Sequence, residues 1–145
     1  MPLVSTVKWV PAHIGKRDGM LWSYESLEFF LARDKELYQF ILAPDNRLFD
    51  AYSKPGAKIG PKWNAQKAVF NTAKGSTSWE GYLAIPLDEI RFTAKGAEGE
   101  FRFNAYRNCR YNFPNEPMTW EQSCYLPTYG SFYNVERFGT LKLGK

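Results

Sequence analysis

The chain has 145 residues, 44% of them hydrophobic, with a net charge of +4. That size suits one domain over residues 1–145 with its own core, and no apolar run approaches the ~20 residues of a membrane helix. The basic residues are scattered among acidic ones, which argues for a mixed solvated surface and against a nucleic-acid or membrane partner.

No low-complexity linker, charge run or fixed-period repeat divides the chain. The first residues, MPLVSTVKWVPAHIGKRDG, lack the basic leader and apolar stretch of a signal peptide. Aromatic residues reach 17%, which favours strands and supplies flat faces for ligand contact.

LVSTVKWV predicts an opening strand, and Trp22 follows in a loop-like stretch. In LEFFL the period is two. Leu27, Phe29 and Leu31 share the face expected to meet the core, and Glu28 and Phe30 share the other. LYQFIL alternates Tyr38, Phe40 and Leu42 against Leu37, Gln39 and Ile41. The turn PDNR and the run LFDAY then make 37–52 a hairpin. WNAQKAVF predicts a weaker strand over Trp63 to Phe70, and NTAKGSTS a turn-rich link. WEGYLAIPL alternates again until Pro86, where PLDEI suits one helical turn. FRFNAYRNC sets Phe101, Phe103 and Ala105 against Arg102, Asn104 and Tyr106, and TWEQSCYL and RFGTLKL close the chain. Seven or eight strands with almost no helix predict an all-β fold. The expected form is an antiparallel β-sandwich, jelly-roll-like, with a closed barrel as the alternative.

Nucleophile–base chemistry finds little support. His13 is the only histidine, and no nucleophile elbow, Walker loop or H-E-x-x-H motif is present. One histidine and two cysteines are too few for a transition-metal site, and His13 with Met20 or Met118 is a thin basis for haem. No cofactor is expected. Asp45 and Asp50 are candidates for a structural calcium, with ordinary turn acids as the other reading. Cys109 and Cys124 flank a turn-like segment, so a disulfide stays open, depending on how close their Cα atoms come.

Saccharide binding is better supported. Sugars present C–H faces to aromatic planes and hydroxyls to fixed polar groups. Trp22, Tyr129, Phe132 and Tyr133 supply planes in loops, and Glu28, Gln39, Asn104 and Arg107 supply polar groups on strands. Arg107 shares its parity with apolar residues, so a structural partnership with a carboxylate is an equal reading.

The ordered set of W-x5-E (Trp22 to Glu28), LYQF, SWEGYLAIPLDEI, FRFNAYR, TWE and FYNVERFGTLKL resembles carbohydrate-binding module family 9, from about Leu21 to Leu143. The resemblance implies a non-catalytic β-sandwich, extracellular or periplasmic and associated with glycan-degrading enzymes, that holds a sugar between two aromatic planes. Trp22 and Glu28 match one plane and its carboxylate. The second plane, a Trp in the family, falls on Phe132 with Tyr133 adjacent. Ile41 and Ala43 stand where Arg and Asn contacts are usual, leaving Gln39 as the polar group there, and Tyr106 stands where a Gln is usual. Members also carry strands ahead of LVSTVKW. The expectation is therefore a homodimer through an exposed sheet edge, or compensation by the N-terminal segment. The other functional readings are a protein-interaction module and a glycoside hydrolase using Glu28 and Glu80.

Overall fold

Period-two alternation becomes strand along most of the chain. A computed structural model describes residues 8–9, 17–33, 36–54, 63–90, 100–112 and 119–142. His13 and Met118 lie outside the described residues, as does most of LVSTVKWV. The strands are β1 (Lys8–Trp9), β2 (Ser26–Arg33), β3 (Glu36–Ala43), β4 (Arg47–Ser53), β5 (Val69–Lys74), β6 (Trp79–Ala84), β7 (Glu100–Asn112), β8 (Thr119–Cys124) and β9 (Gly139–Lys142). All pairings are antiparallel.

The long strand β7 is the spine of a seven-stranded sheet. β2 runs along one edge of it, with Glu28 opposite Tyr106, and β1 continues that edge at Tyr111 and Asn112. The other edge is shared by β8, with Tyr106 opposite Cys124, and β9, with Phe103 opposite Gly139. β3 and β4 extend the sheet beyond β2 as the hairpin the sequence predicts, turning at Pro44–Asn46. β5 and β6 form a separate two-stranded sheet.

That small sheet covers one face of the large one, giving a sandwich-like all-β fold. Tyr38, Phe40, Leu48 and Phe101 form the buried centre, joined by Ala65 and Ile90 from the covering layer, with Phe29, Leu31, Trp63, Phe70 and Leu83 packed around them. Burying each such aromatic or aliphatic side chain contributes roughly 1.5–3 kcal/mol. The hairpin lies so close that a Cβ at Gly81 would stand 2.6 Å from Leu42 Cδ2, so a side chain there would push the layers apart.

The opposite face is covered by loops. Leu21, from a single 3-10 turn at Leu21–Ser23, packs on Ile41, Ala43, Phe49 and Ala51. Phe138, Phe132 and Val135, from the segment between β8 and β9, pack on Phe30, Ala32, Leu37 and Tyr106.

Several expectations need correction. On β2 the fully buried face is Ser26, Glu28, Phe30 and Ala32, whereas Leu27, Phe29 and Leu31 are half-buried. Both faces of this strand are covered, so parity separates the two sets without saying which is deeper. The strand expected over Trp63 to Phe70 begins only at Val69, because the Ala65 N–H is taken by the Asp50 carboxylate (2.7 Å) instead of a neighbouring strand. The supposed link at Asn71 to Lys74 is strand, and the turn is confined to Gly75–Ser78. PLDEI is a hydrogen-bonded turn closed by Glu89 N–H to Pro86 O. Cys109 and Cys124 form no disulfide. The β7–β8 register sets Cys109 opposite Glu121 and Cys124 opposite Tyr106, so the two are not cross-strand partners.

Candidate functional site

The loop-covered face holds a row of polar side chains running diagonally across four strands. Glu28 on β2 lies directly opposite Ile41 on β3 and Tyr106 on β7. Its diagonal neighbours are therefore Gln39 and Asn108, the positions from which long side chains reach each other across a sheet. Gln39 Nε2 donates to Glu28 Oε1 at 2.5 Å, and Asn108 Nδ2 donates to Glu28 Oε2 at 3.0 Å. Asn108 Oδ1 accepts in turn from Gln122 Nε2 on β8 at 2.9 Å, and Ser26 Oγ accepts from Asn108 Nδ2 at 3.3 Å. Glu28, Gln39 and Asn108 are all buried, and Gln122 is exposed.

The direction of these bonds matters. Gln39 and Asn108 both turn N–H groups toward the carboxylate, and Gln122 turns its own toward Asn108, so the row fixes Glu28 as an acceptor held from two sides. A carboxylate oxygen accepts more than one hydrogen bond. Glu28 can therefore meet a ligand hydroxyl without releasing Gln39 or Asn108. Burial raises its pKa above the ordinary 4.5, while the hydrogen bonds from Asn108 and Gln39 oppose that rise.

Above this floor is an open cleft of about 340 Å³. Trp22 forms one wall, braced edge-on against Phe49 with ring centroids 5.3 Å apart. Phe132 and Tyr133 form the other, and Trp120 and Gln122 line the β8 side. Phe132 is stacked on Tyr106 at 3.8 Å with the rings 16° from parallel, so its orientation is set from behind. Tyr133 meets Phe30 edge-on at 5.5 Å. Burial first and the nearby Glu28 charge second raise the Tyr133 phenol pKa, with a hydrogen bond from Gln39 acting against them.

The wall segment is held down by every second residue of β7. Arg102 donates to Glu136 O at 2.8 Å. Asn104 grips the Leu126 backbone at both ends, donating to its carbonyl (2.9 Å) and accepting its N–H (3.0 Å). The Tyr106 hydroxyl donates to Thr128 Oγ1 at 3.1 Å. A segment with little regular structure thereby keeps a fixed aromatic wall.

Trp22, Glu28, Gln39, Phe132 and Tyr133 thus meet in one cleft, as the sequence reading expects. Three others do not line it. Tyr106 lies beneath Phe132 with its hydroxyl committed to Thr128, so it supports the wall. Arg107 projects from the other face of the sheet, where its Nε donates to the buried Glu25 at 3.0 Å, which is the structural alternative. Glu25 also accepts from Trp79 Nε1 (3.0 Å) and from the Cys109 thiol (2.7 Å), so it knots β6 and β7 to the chain just before β2. Tyr129 stands on a neighbouring cleft. Glu80, the second carboxylate of the hydrolase reading, lies on β6 opposite Ala73 and does not line the cleft that holds Glu28.

Asn108, Gln122, Trp120 and Phe49 line the cleft and were missed. Asn108 continues the parity of Asn104 and Tyr106, and Gln122 shares a face with Trp120 in TWEQSC, so strand alternation alone could have found both.

Asp50, a candidate calcium ligand in the sequence, has an arginine and a backbone N–H against it. It is fully buried, paired with Arg17 at 2.7 Å, and accepts the Ala65 N–H. Asp45 pairs with Arg47 at 2.8 Å. Among the described residues no group of three or more His, Cys, Asp or Glu side chains is placed to hold a metal, and no helix is long and apolar enough to cross a membrane.

No protein-family model matches the chain, and neither a curated protein nor a solved structure matches it at a significant level.

Proposed function

We propose that this domain binds a neutral saccharide, without cleaving it, in the cleft between Trp22 and Phe132. The observation that carries the reading is the pairing of two kinds of surface at one place. Aromatic rings wall the cleft, and a pre-ordered carboxylate–amide row floors it. The rings suit the C–H face of a pyranose, and the row suits its hydroxyls. Because Gln39 and Asn108 hold Glu28 before any ligand arrives, less side-chain freedom is lost on binding.

Charge narrows the ligand class. The residues lining the cleft include Asp18 and Glu28 but no Lys, Arg or His among the described residues. A uronic or sulfated sugar would bring its anion to Glu28, whose hydrogen-bond partners are neutral amides, a repulsion strengthened by burial. Neutral polysaccharides and their fragments fit better. The family resemblance, with Trp22 and Glu28 in matching places, agrees with this reading and with a role beside glycan-degrading enzymes outside the cytoplasm.

The test is an array of neutral and acidic glycans probed with the wild-type domain and with Glu28→Gln. Gln at 28 replaces one acceptor oxygen by a donor facing the N–H group of Gln39 or Asn108 and removes the charge, so the row must rearrange. Expected are neutral-glycan signals that Glu28→Gln lowers at least about tenfold, the loss of one charge-assisted hydrogen bond. Binding confined to acidic glycans, or no glycan binding at all, would overturn the reading.

A further inference from the structure

The cleft does not end at Phe132. A second cleft of about 280 Å³ lies on its far side, and Gln122 and Phe132 line both. We infer that the two clefts form one trough along β8, in which the second is a distal subsite for a saccharide longer than the first cleft alone can hold. This rests on the saccharide reading above and adds to it a ligand of several rings.

β8 sets the direction. Its side chains on this face are Trp120 and Gln122, which line the first cleft, and Cys124, which with Gln122 lines the second. Four residues at strand rise place the ends of this row about 13 Å apart. Each cleft is near the lower limit of the ~300–1,000 Å³ typical of small-ligand sites, so the pair suits an elongated ligand better than either suits a compact one.

The second cleft carries the same pairing of surfaces as the first. Tyr129 supplies an aromatic ring, 78% exposed, with the Arg137 guanidinium 5.3 Å from its centroid. Thr128 and Ser131 supply hydroxyls, and Gln122 supplies an amide. The backbone makes the opening. Tyr129 and Gly130 have φ of 51° and 108°, a left-handed pair in the turn that lines this cleft. A Cβ placed on Gly130 would meet no atom within 4 Å, so the space above it is free for a ligand.

The structure supplies its own reporter. Cys124 is exposed in the second cleft and Cys109 is buried, so a thiol reagent distinguishes the two. The experiment titrates cello-, xylo- and manno-oligosaccharides of one to six rings against wild type and Tyr129→Ala, and follows iodoacetamide labelling of Cys124 by peptide mapping. Expected is an affinity that rises with ring number beyond the shortest binder. Tyr129→Ala should cancel that rise, weakening the longest ligand about tenfold while leaving the shortest unchanged. The longest ligand, at about ten times its Kd, should slow Cys124 labelling about tenfold, and the shortest should not. An affinity flat with length, or labelling of Cys124 untouched by the longest binder, would overturn the distal subsite and leave the saccharide reading standing. Failure of every ladder to bind would overturn both. Tyr129 is a surface residue, and a thermal melt of the variant matching wild type shows that any loss arises at the site.

Discussion

Both faces of the large sheet bury apolar clusters, and they differ in the polar side chains set among them. Under the β5–β6 hairpin the centre is Tyr38, Phe40, Leu48 and Phe101, a layer of apolar and aromatic side chains. Under the loops the same strands bury Ser26, Glu28, Gln39, Asn104 and Asn108. The first face holds the domain together through area removed from water. On the second, each polar group must find a partner or lose free energy on burial, and it finds one in a neighbouring strand or, for Asn104, in the covering loop. A polar layer of this kind is a poor route to stability, since apolar residues of the same shape often do as well. It lies under an open aromatic cleft, as a floor whose side chains hold one another in place.

The contrast predicts unequal responses to truncation. Phe40→Ala, on the hairpin face, removes a fully buried ring and should cost about 3–5 kcal/mol, read from urea denaturation. It should leave saccharide affinity of the remaining folded protein unchanged, because Phe40 does not line the cleft. Asn108→Ala, on the cleft face, leaves Glu28 Oε2 and Gln122 Nε2 without their partner and should cost roughly 1–3 kcal/mol. That smaller loss should come with a large loss of binding. If Asn108→Ala proved as costly to stability as Phe40→Ala yet bound normally, the polar row would be structural after all.

A smaller effect is expected with pH. The raised pKa of Glu28 means that the folded protein holds a proton there which the unfolded chain has already released. Its contribution to stability is complete below the ordinary value near 4.5 and is lost as pH rises through the raised folded value. Other carboxyls add slopes of their own, so the measurement is a difference. The stability of wild type relative to Glu28→Gln, followed by urea midpoint, should fall as pH rises through that window. A difference independent of pH would show that Glu28 titrates as it does in the unfolded chain.

How much of this was legible in the sequence follows from range. Period-two alternation gives the strands β2, β3, β4 and β7 and the hairpin at Pro44–Asn46, since each depends on neighbours in the chain. Phe30 was the available warning that the Glu28 face is buried, because a large ring shares parity with the carboxylate. The resemblance singles out Trp22, Glu28 and Phe132, and the structure sets all three around one cleft. The partners of Arg107 and Cys109 were not. Both meet Glu25 more than eighty positions away, and no local pattern announces a knot between β6, β7 and the approach to β2. Asn108 and Gln122 fall between these cases. Their parity is readable, but their meeting depends on the β7–β8 register, which the intervening sequence does not specify.

Saccharide binding in the cleft between Trp22 and Phe132, as proposed, depends on Trp22 as one of its two aromatic walls. Trp22 is 37% exposed, so Trp22→Ala spares most of the fold while removing one wall. The direct measurement is tryptophan fluorescence during titration with the strongest neutral glycan, for wild type and for Trp22→Ala. Expected are a saturable change in wild type and loss of both the change and calorimetric binding in the variant. Equal calorimetric affinity in the two proteins would contradict the proposal.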